Sequence, residues 1–283
     1  MKRYIRSAVR DISQEAWNTQ DQIAENPNTD ARTLARLAEG QNNGALVAVA
    51  QHPNTPIEVL RKFAASDKIF LHRAMASSHN TPAEILRLLV NIKDPYTWNK
   101  LAENPNTSPD VLAKLHYEQP EDITYQYVDA RLAENENTPE KVLVDIARNC
   151  PRGNTAAVLA ECANSAEALR IIYERFNDYS TIMECVAKNP HTPKDIIEKL
   201  ATSDHYFVRC WVADRTDSPE LLTKLAEDPT YDVLENVVKN PNTPISVIKK
   251  LIADPKHDEL WQYRDIKQAL KKRGITVPKG AQS

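Results

Sequence analysis

Apolar residues fall along this chain in two linked phases that share one period. In the first phase they recur at helical spacing, as in Val59, Leu60 and Phe63; Ile85, Leu86 and Leu89; Ile196, Ile197 and Leu200; and Val247, Ile248 and Leu251. This pattern predicts a first amphipathic helix of about 10–12 residues. In the second phase an apolar pair precedes a polar corner in all nine copies: Ile23-Ala24, Val49-Ala50, Met75-Ala76, Leu101-Ala102, Leu132-Ala133, Leu159-Ala160, Val186-Ala187, Val212-Ala213 and Val237-Val238. Leu71, Val128, Ile182, Val208 and Val233, four or five positions upstream of such pairs, continue the same face and predict a shorter second helix.

The polar corner itself is a recurring string. Asn-Pro-Asn-Thr stands at 26–29, 104–107 and 240–243, with relatives at 52–55, 78–81, 135–138 and 189–192 and degenerate forms at 162–165 and 215–218. Anchoring on its last residue gives Thr29, Thr55, Thr81, Thr107, Thr138, Ser165, Thr192, Ser218 and Thr243, at intervals of 26, 26, 26, 31, 27, 27, 26 and 25. Six anchors are followed directly by proline, as in Thr55-Pro56 and Ser218-Pro219. A Thr or Ser side chain can accept the free N–H groups of a first turn, and proline at the next position has no N–H to leave unsatisfied. The anchors are therefore expected to be helix N-caps, with Glu58, Glu84 and Asp195 as acidic members of capping boxes. One repeat reads as helix, turn, shorter helix and Asn-rich corner, and neither helix can bury its apolar face until neighbouring repeats stack on it.

A repeat with the consensus Asn-Pro-Asn-Thr-Pro-x-x-Val-Leu-x-x-Leu-Ala, followed by a second short helix, resembles the variant leucine-rich repeat family over about residues 20–255. The resemblance implies an all-α solenoid of alternating α and 3₁₀ helices, wound as a right-handed superhelix without sheet. The interval near 26 is slightly longer than the shortest repeats of that kind, which favours α for the second helix too. The family's best-known architecture also carries an N-terminal iron–sulfur module, but residues 1–25 hold no cysteine and no cofactor is carried over. HEAT-like and armadillo-like solenoids are the structural alternative, with repeats nearer 40 residues. About nine repeats at 21–255 then lie between an N-terminal capping segment, 1–20, with Ile12 and Trp17 inward, and a C-terminal capping helix within 256–274. That last amphipathic stretch, 259–273, stops at Gly274, and 275–283 form a flexible tail. The 31-residue interval places one insertion in 116–129.

Composition agrees with the helical reading. Five glycines against 18 prolines leave phosphate loops and tight strand turns poorly supplied. A net charge of −3 gives no basic footprint for nucleic acid. Cys150, Cys162, Cys185 and Cys210 show no zinc-type spacing and read as reduced thiols. No apolar run reaches the length of a membrane span and the first residues lack a signal-type apolar stretch, so a cytoplasmic location without membrane contact is expected. Neither a GxSxG nor an HExxH motif occurs, and nothing points to an enzyme or a metal site.

Four groups of residues invite a functional reading. The corner residues Asn28, Asn54, Asn80, Asn106, Asn137, Asn164 and Asn242 are expected to satisfy local backbone rather than bind ligands. Basic first-helix positions such as Arg61, Lys62, Arg87, Lys114, Lys199 and Lys224 often follow an acid by four residues, which favours a self-neutralised outer face over a phosphate-binding stripe. Aromatics near the start of the second helix, Phe70, Tyr96, Tyr127, Phe207 and Tyr231, are expected to pack. Second-helix positions that vary between copies are the candidate contacts: His72, Arg73, Trp98, Arg131, Arg209 and Trp211. The expected function is a non-enzymatic scaffold that binds a protein or peptide of basic or mixed charge along its concave face. Nucleic-acid binding through the first helices is the alternative.

Overall fold

A computed structural model describes residues 18–120 and 127–276. Ile12 and Trp17 of the expected N-terminal cap, residues 121–126 of the insertion and the tail from 277 lie outside the described residues. The described residues form helices joined by turns, bends and short irregular links, with no strand among them. The chain divides into two compact units, one ending at Val142 and the other beginning at Leu143.

Unit 1 contains α1 (18–25), α2 (Ala31–Leu37), α3 (Asn43–Gln51), α4 (Ile57–Ala64), α5 (Ile69–Ser77), α6 (Ala83–Leu89), α7 (Pro95–Glu103), α8 (Pro109–Tyr117), α9 (Val128–Glu134) and the start of α10 (Glu140–Asn149). Its second helices form a row in which α3, α5, α7 and α9 pack side by side, with first helices against their flanks. Unit 2 repeats the plan with α11 (Asn154–Cys162), α12 (Ala166–Phe176), α13 (Ser180–Lys188), α14 (Lys194–Leu200), α15 (Tyr206–Arg215), α16 (Pro219–Leu225), α17 (Tyr231–Lys239) and α18 (Ile245–Ala253). A 3₁₀ helix, Pro255–Gln262, and α19 (Arg264–Lys272) complete it, and its row runs α11, α13, α15, α17, α19. The amphipathic stretch expected at 259–273 is thus divided between two elements. Gly274, at φ 69°, ends α19, and the Ile275 N–H reaches back to the Leu270 carbonyl at 3.0 Å.

Helix lengths correct the sequence reading. First helices α6, α14 and α16 span only 7 residues, while second helices α13 and α15 span 9 and 10. Two turns suffice to present the three apolar residues of a first helix, such as Ile85, Leu86 and Leu89, to the core. The second helices are α, and the only 3₁₀ helix recorded among the described residues is Pro255–Gln262. The α/3₁₀ alternation implied by the family resemblance is therefore not what this chain adopts.

The corner motif closes the carbonyl end of each second helix, where the last C=O groups have no partner within the helix. In six of the seven threonine copies the threonine points backward, while the buried Thr81 hydroxyl has no hydrogen-bond partner among the described residues. Hydroxyls of Thr29, Thr55, Thr107, Thr138, Thr192 and Thr243 donate to carbonyls six residues earlier at 2.5–2.7 Å. The next carbonyl along, that of the alanine in the apolar pair, is taken by the first asparagine of the following corner. Asn104 Nδ2 donates to Ala76 O at 2.8 Å, Asn135 to Ala102 O at 2.7 Å, Asn189 to Ala160 O at 3.0 Å and Asn240 to Ala213 O at 2.8 Å. Each of these asparagines also uses Oδ1 to accept the N–H two residues on, at 2.9–3.0 Å. His52 takes the same place in its corner, with Nε2 2.9 Å from Asn26 O. The third-position asparagines add a parallel rung, as when Asn106 Nδ2 donates to His79 O at 2.6 Å and Asn137 Nδ2 to Pro105 O at 2.7 Å. The corner polar groups thus tie one repeat to the one before it, a longer reach than the local role expected of them.

This geometry overturns the N-cap reading for the Thr-Pro copies. Pro56, Pro82, Pro193 and Pro244 occupy the N-cap position and no side chain caps those helices. Only the two serine anchors that follow degenerate corners behave as expected: Ser165 Oγ accepts from Ala168 N at 3.1 Å and Ser218 Oγ from Leu221 N at 3.2 Å. There a single residue, Asn164 or Asp217, separates one helix cap from the next, and the shorter corner turns the hydroxyl forward.

Candidate partner-binding surface

Because the corners are consumed by the fold, surface chemistry falls to the outward faces of the helices. In α3, α5, α7, α13 and α17 the buried residues include those ten, nine, six and five positions before the anchor, for example Leu71, His72, Met75 and Ala76 in α5, and Ile182, Met183, Val186 and Ala187 in α13. The stripe at positions eleven, eight, seven and four before the anchor points outward. In α15 that stripe is Phe207, Cys210, Trp211 and Asp214, and in α7 it is Tyr96, Asn99, Lys100 and Glu103.

This phase sorts the six expected contacts. His72, Trp98 and Arg209 all stand at position nine, on the core stripe. His72 and Trp98 are each 1% exposed, and Trp98 Nε1 donates to Val90 O at 3.1 Å. Arg209 is drawn inward by a bidentate pair with Asp228, at 2.6 and 3.1 Å, and by a bond to Ser203 O at 2.7 Å. These three are interior structure and are withdrawn as contacts. Arg73, Arg131 and Trp211, at positions eight and seven, lie on the outward stripe. Within unit 1, Arg73 holds Asp94 through two bonds at 2.6 and 3.0 Å, and Arg131 meets Glu103 at 3.0 Å and Glu134 at 2.9 Å. In unit 2, Trp211 receives the Lys188 ammonium 4.3 Å from its ring centroid.

The aromatics expected to pack do the opposite. Tyr96, Tyr127, Phe207 and Tyr231 are 48, 53, 54 and 40% exposed, and Tyr179 and Tyr263 join them at the starts of α13 and α19. Phe70 is half-buried, beside Val47, Gln51, Arg73, Ser77 and Tyr96 along a shallow groove over α3, α5 and α7. The signal that places Tyr96 and Phe207 outward is in the sequence: both stand eleven before the anchor, one turn ahead of the outward pair and off the core stripe. Arg73 and Lys100 flank the Tyr96 ring at 5.2 and 5.7 Å, which keeps it upright at the surface.

Electrostatics differ between the faces. Three first-helix arginines pair with acids of the next first helix, while Lys114 pairs at the end of its own with Glu118 at 3.7 Å. Arg61 pairs with Glu84 at 2.6 Å, Arg87 with Asp110 at 2.9 Å and Arg170 with Asp195 at 2.6 Å. On the second-helix face of unit 1, Lys100, Glu103, Arg131 and Glu134 form one connected chain of ion pairs at 2.6–3.0 Å. The Arg73 guanidinium lowers the Asp94 carboxyl to about 2, helped by hydrogen bonds from Thr97 and against its own burial. Burial raises both outward thiols of unit 2, Cys185 and Cys210, the latter to about 11, which favours the neutral thiol. The four cysteines form no disulfide, and among the described residues no three His, Cys, Asp or Glu side chains gather as a metal site. Likewise, no helix among the described residues is long and apolar enough to cross a membrane.

No family model matches this chain, and no curated protein matches it. The architecture stands on its own geometry as an all-helical, repeat-like array of neighbouring helices.

Proposed function

We propose that this protein is a non-enzymatic scaffold that binds a protein or peptide through the outward stripe of its second helices. The observation that carries the reading is that each unit exposes aromatic side chains at the starts of its second helices, with Tyr96 in unit 1 and Phe207 in unit 2 each about half exposed. Rings that keep large apolar area in water at little conformational cost are what protein interfaces are enriched in. The right-handed winding of nine repeats of variant leucine-rich type, and a cytoplasmic setting, belong to the same proposal. Nucleic-acid binding by the first helices is the weaker reading, because Arg61, Arg87 and Arg170 are already engaged with carboxylates.

The test is selection of a displayed random-peptide library on the full chain. Enriched peptides are then measured against three variants: Phe70→Ser with Tyr96→Ser, Phe207→Ser with Trp211→Ser, and a first-helix control, Glu58→Gln with Lys62→Gln. The proposal expects binding to fall in at least one of the first two and to persist in the control. Binding that survives both outward variants, or that only the control abolishes, refutes it.

A further inference from the structure

The outward face of the second-helix row in unit 2 carries several acids without ion-pair partners among the described residues, whereas the α7 and α9 acids Glu103 and Glu134 of unit 1 are paired. Across α11, α13, α15 and α17 it presents Glu161, Glu184, Asp214, Asp232 and Glu235 against Lys188 and Lys239. Lys239 is held by Glu235 at 2.5 Å and Asp265 at 3.7 Å, and Lys188 sits over Trp211. Among the described residues, Glu161, Glu184, Asp214 and Asp232 have no ion-pair partner. The apolar part of the same face is formed by Val158, Cys185, Cys210, Trp211 and the exposed Phe207. After burial, the next contributions raising the two thiols come from Glu161 at Cys185 and Asp232 at Cys210, so the carboxylates direct their field into this patch.

We propose that the α11–α17 face docks a partner segment that combines arginine or lysine with apolar side chains, and that the Trp211 ring is the seat for one of its cations. This deepens the partner-binding reading above and rests on it. Charge complementarity selects the occupant: an acidic face with unpaired carboxylates repels nucleic acid and acidic segments and attracts basic ones. Lys188 demonstrates the seat, since its ammonium already lies 4.3 Å from the ring centroid. A guanidinium is planar and more weakly hydrated than an ammonium, so an incoming arginine stacks on the ring more favourably than the resident lysine. Lys188 is thereby a built-in competitor as well as a repelling charge. Removing a cation from this face should strengthen binding of a cation, a sign that no simple loss-of-contact account gives.

The experiment uses the full chain and a short fluorescein-labelled peptide of arginine, leucine and serine, with a control in which glutamate replaces arginine. Fluorescence anisotropy is read at low and moderate salt, and circular dichroism melting verifies that each variant folds. The arginine peptide should bind and the glutamate peptide should not. Trp211→Ala should weaken binding by about tenfold or more, as for a central aromatic anchor. Lys188→Ala should tighten it by about threefold, and Glu184→Gln with Asp214→Asn, which leaves the rings in place, should weaken it several-fold and flatten its salt dependence. Should Trp211→Ala melt early, the last two variants decide alone. Preferential binding of the glutamate peptide overturns this proposal while leaving the broader reading intact, and so does arginine-peptide binding that Lys188→Ala weakens or Glu184→Gln with Asp214→Asn leaves unchanged. Absence of binding by either peptide also overturns it, and the display selection then decides separately whether the scaffold binds peptides at all.

Discussion

Asn104 offers the sharpest test of the corner ladder. Its side chain is buried, with Nδ2 donating to Ala76 O at 2.8 Å and Ser78 O at 3.0 Å while Oδ1 accepts from Asn106 N at 2.9 Å. Asn104→Ala deletes all three bonds. Ser78 O retains the Thr81 N–H at 3.2 Å, so the Ala76 carbonyl and the Asn106 N–H are left most exposed to the loss. At about 1 kcal/mol for each net bond, and more where a buried group is orphaned, the expected destabilisation is about 3 kcal/mol. Asn104→Asp keeps the shape but replaces the donor with an oxygen aimed at two carbonyls, in a site where a carboxylate is also poorly solvated. It should cost more than alanine, about 4 kcal/mol or more at neutral pH, and the excess should shrink as the carboxyl is protonated in acid.

Urea unfolding gives the global figure, and hydrogen exchange at the amides of Asn106 and Thr107 gives the local one. Asn28, exposed in the first corner, supplies the control, and Asn28→Ala should fall within about 0.5 kcal/mol of the parent. A ladder that merely fills space would make aspartate the milder substitution. If Asn104→Asp proves no worse than Asn104→Ala, or if both behave like Asn28→Ala, the argument for the ladder is wrong.

Three further outcomes follow from other parts of the molecule. His72 is 1% exposed and neither ring nitrogen has a hydrogen-bond partner, so His72→Leu should raise stability by about 1–2 kcal/mol in urea unfolding, and a loss of stability would contradict this. Asp94 sits at about 2 in the fold against an ordinary 3.8, so the unfolded chain takes up its proton first. Its stabilisation is therefore complete above about 3.8 and lost as pH falls toward about 2. Asp94→Asn, which can still cap α7, should cost about 1 kcal/mol at neutral pH once solvent screening of the half-exposed Arg73 is allowed for, and should flatten the acid limb of the stability curve; an unchanged limb would count against the pair. Thr138→Val removes the 2.6 Å bond to Leu132 O and should cost about 1 kcal/mol while loosening the end of α9, whereas Ser165→Ala should fray the start of α12, a contrast that residue-resolved hydrogen exchange reads directly.

The repeat, the all-helical class and the core stripe were legible in the sequence because each rests on spacing. Position within a period survives translation into three dimensions, which is why Met75-Ala76 and Val186-Ala187 are buried where the pattern puts them. What spacing could not convey was direction. A threonine between two helices can accept from the helix ahead or donate to the helix behind, and both uses satisfy groups that would otherwise be unpaired. Corner length decides, three residues between the caps at Thr192 and one at Ser165, and that length depends on where the preceding helix stops. Three of the six expected contact residues, His72, Trp98 and Arg209, were placed outward in error for a similar reason. Positions nine and eight before the anchor differ by one residue and about 100° of helix, enough to send His72 into the core and Arg73 into solvent.

The copies that depart from the corner consensus are informative about where function can reside. At the Ser218 copy the first-position asparagine is replaced by Arg215, whose guanidinium donates to Lys188 O at 3.1 Å and so performs the ladder's task with a longer arm. Arg273 likewise reaches the corner carbonyls of Asn240 and Thr243, while Arg175 in α12 ties that first helix to the carbonyls of Ala147 and Cys150 at the end of α10. The Lys188 whose backbone Arg215 secures is also the residue whose ammonium covers Trp211. Thus the irregular corner and the unusual outward face meet on the same two helices, α13 and α15. The Arg215 bond keeps the α13 backbone paired where the corner asparagine is absent, and the outward side chains Cys185, Phe207 and Trp211 take no part in it. The stability of the scaffold and the chemistry of its surface are then carried by different residues, and changing Trp211 or Glu184 should alter recognition far more than it alters folding.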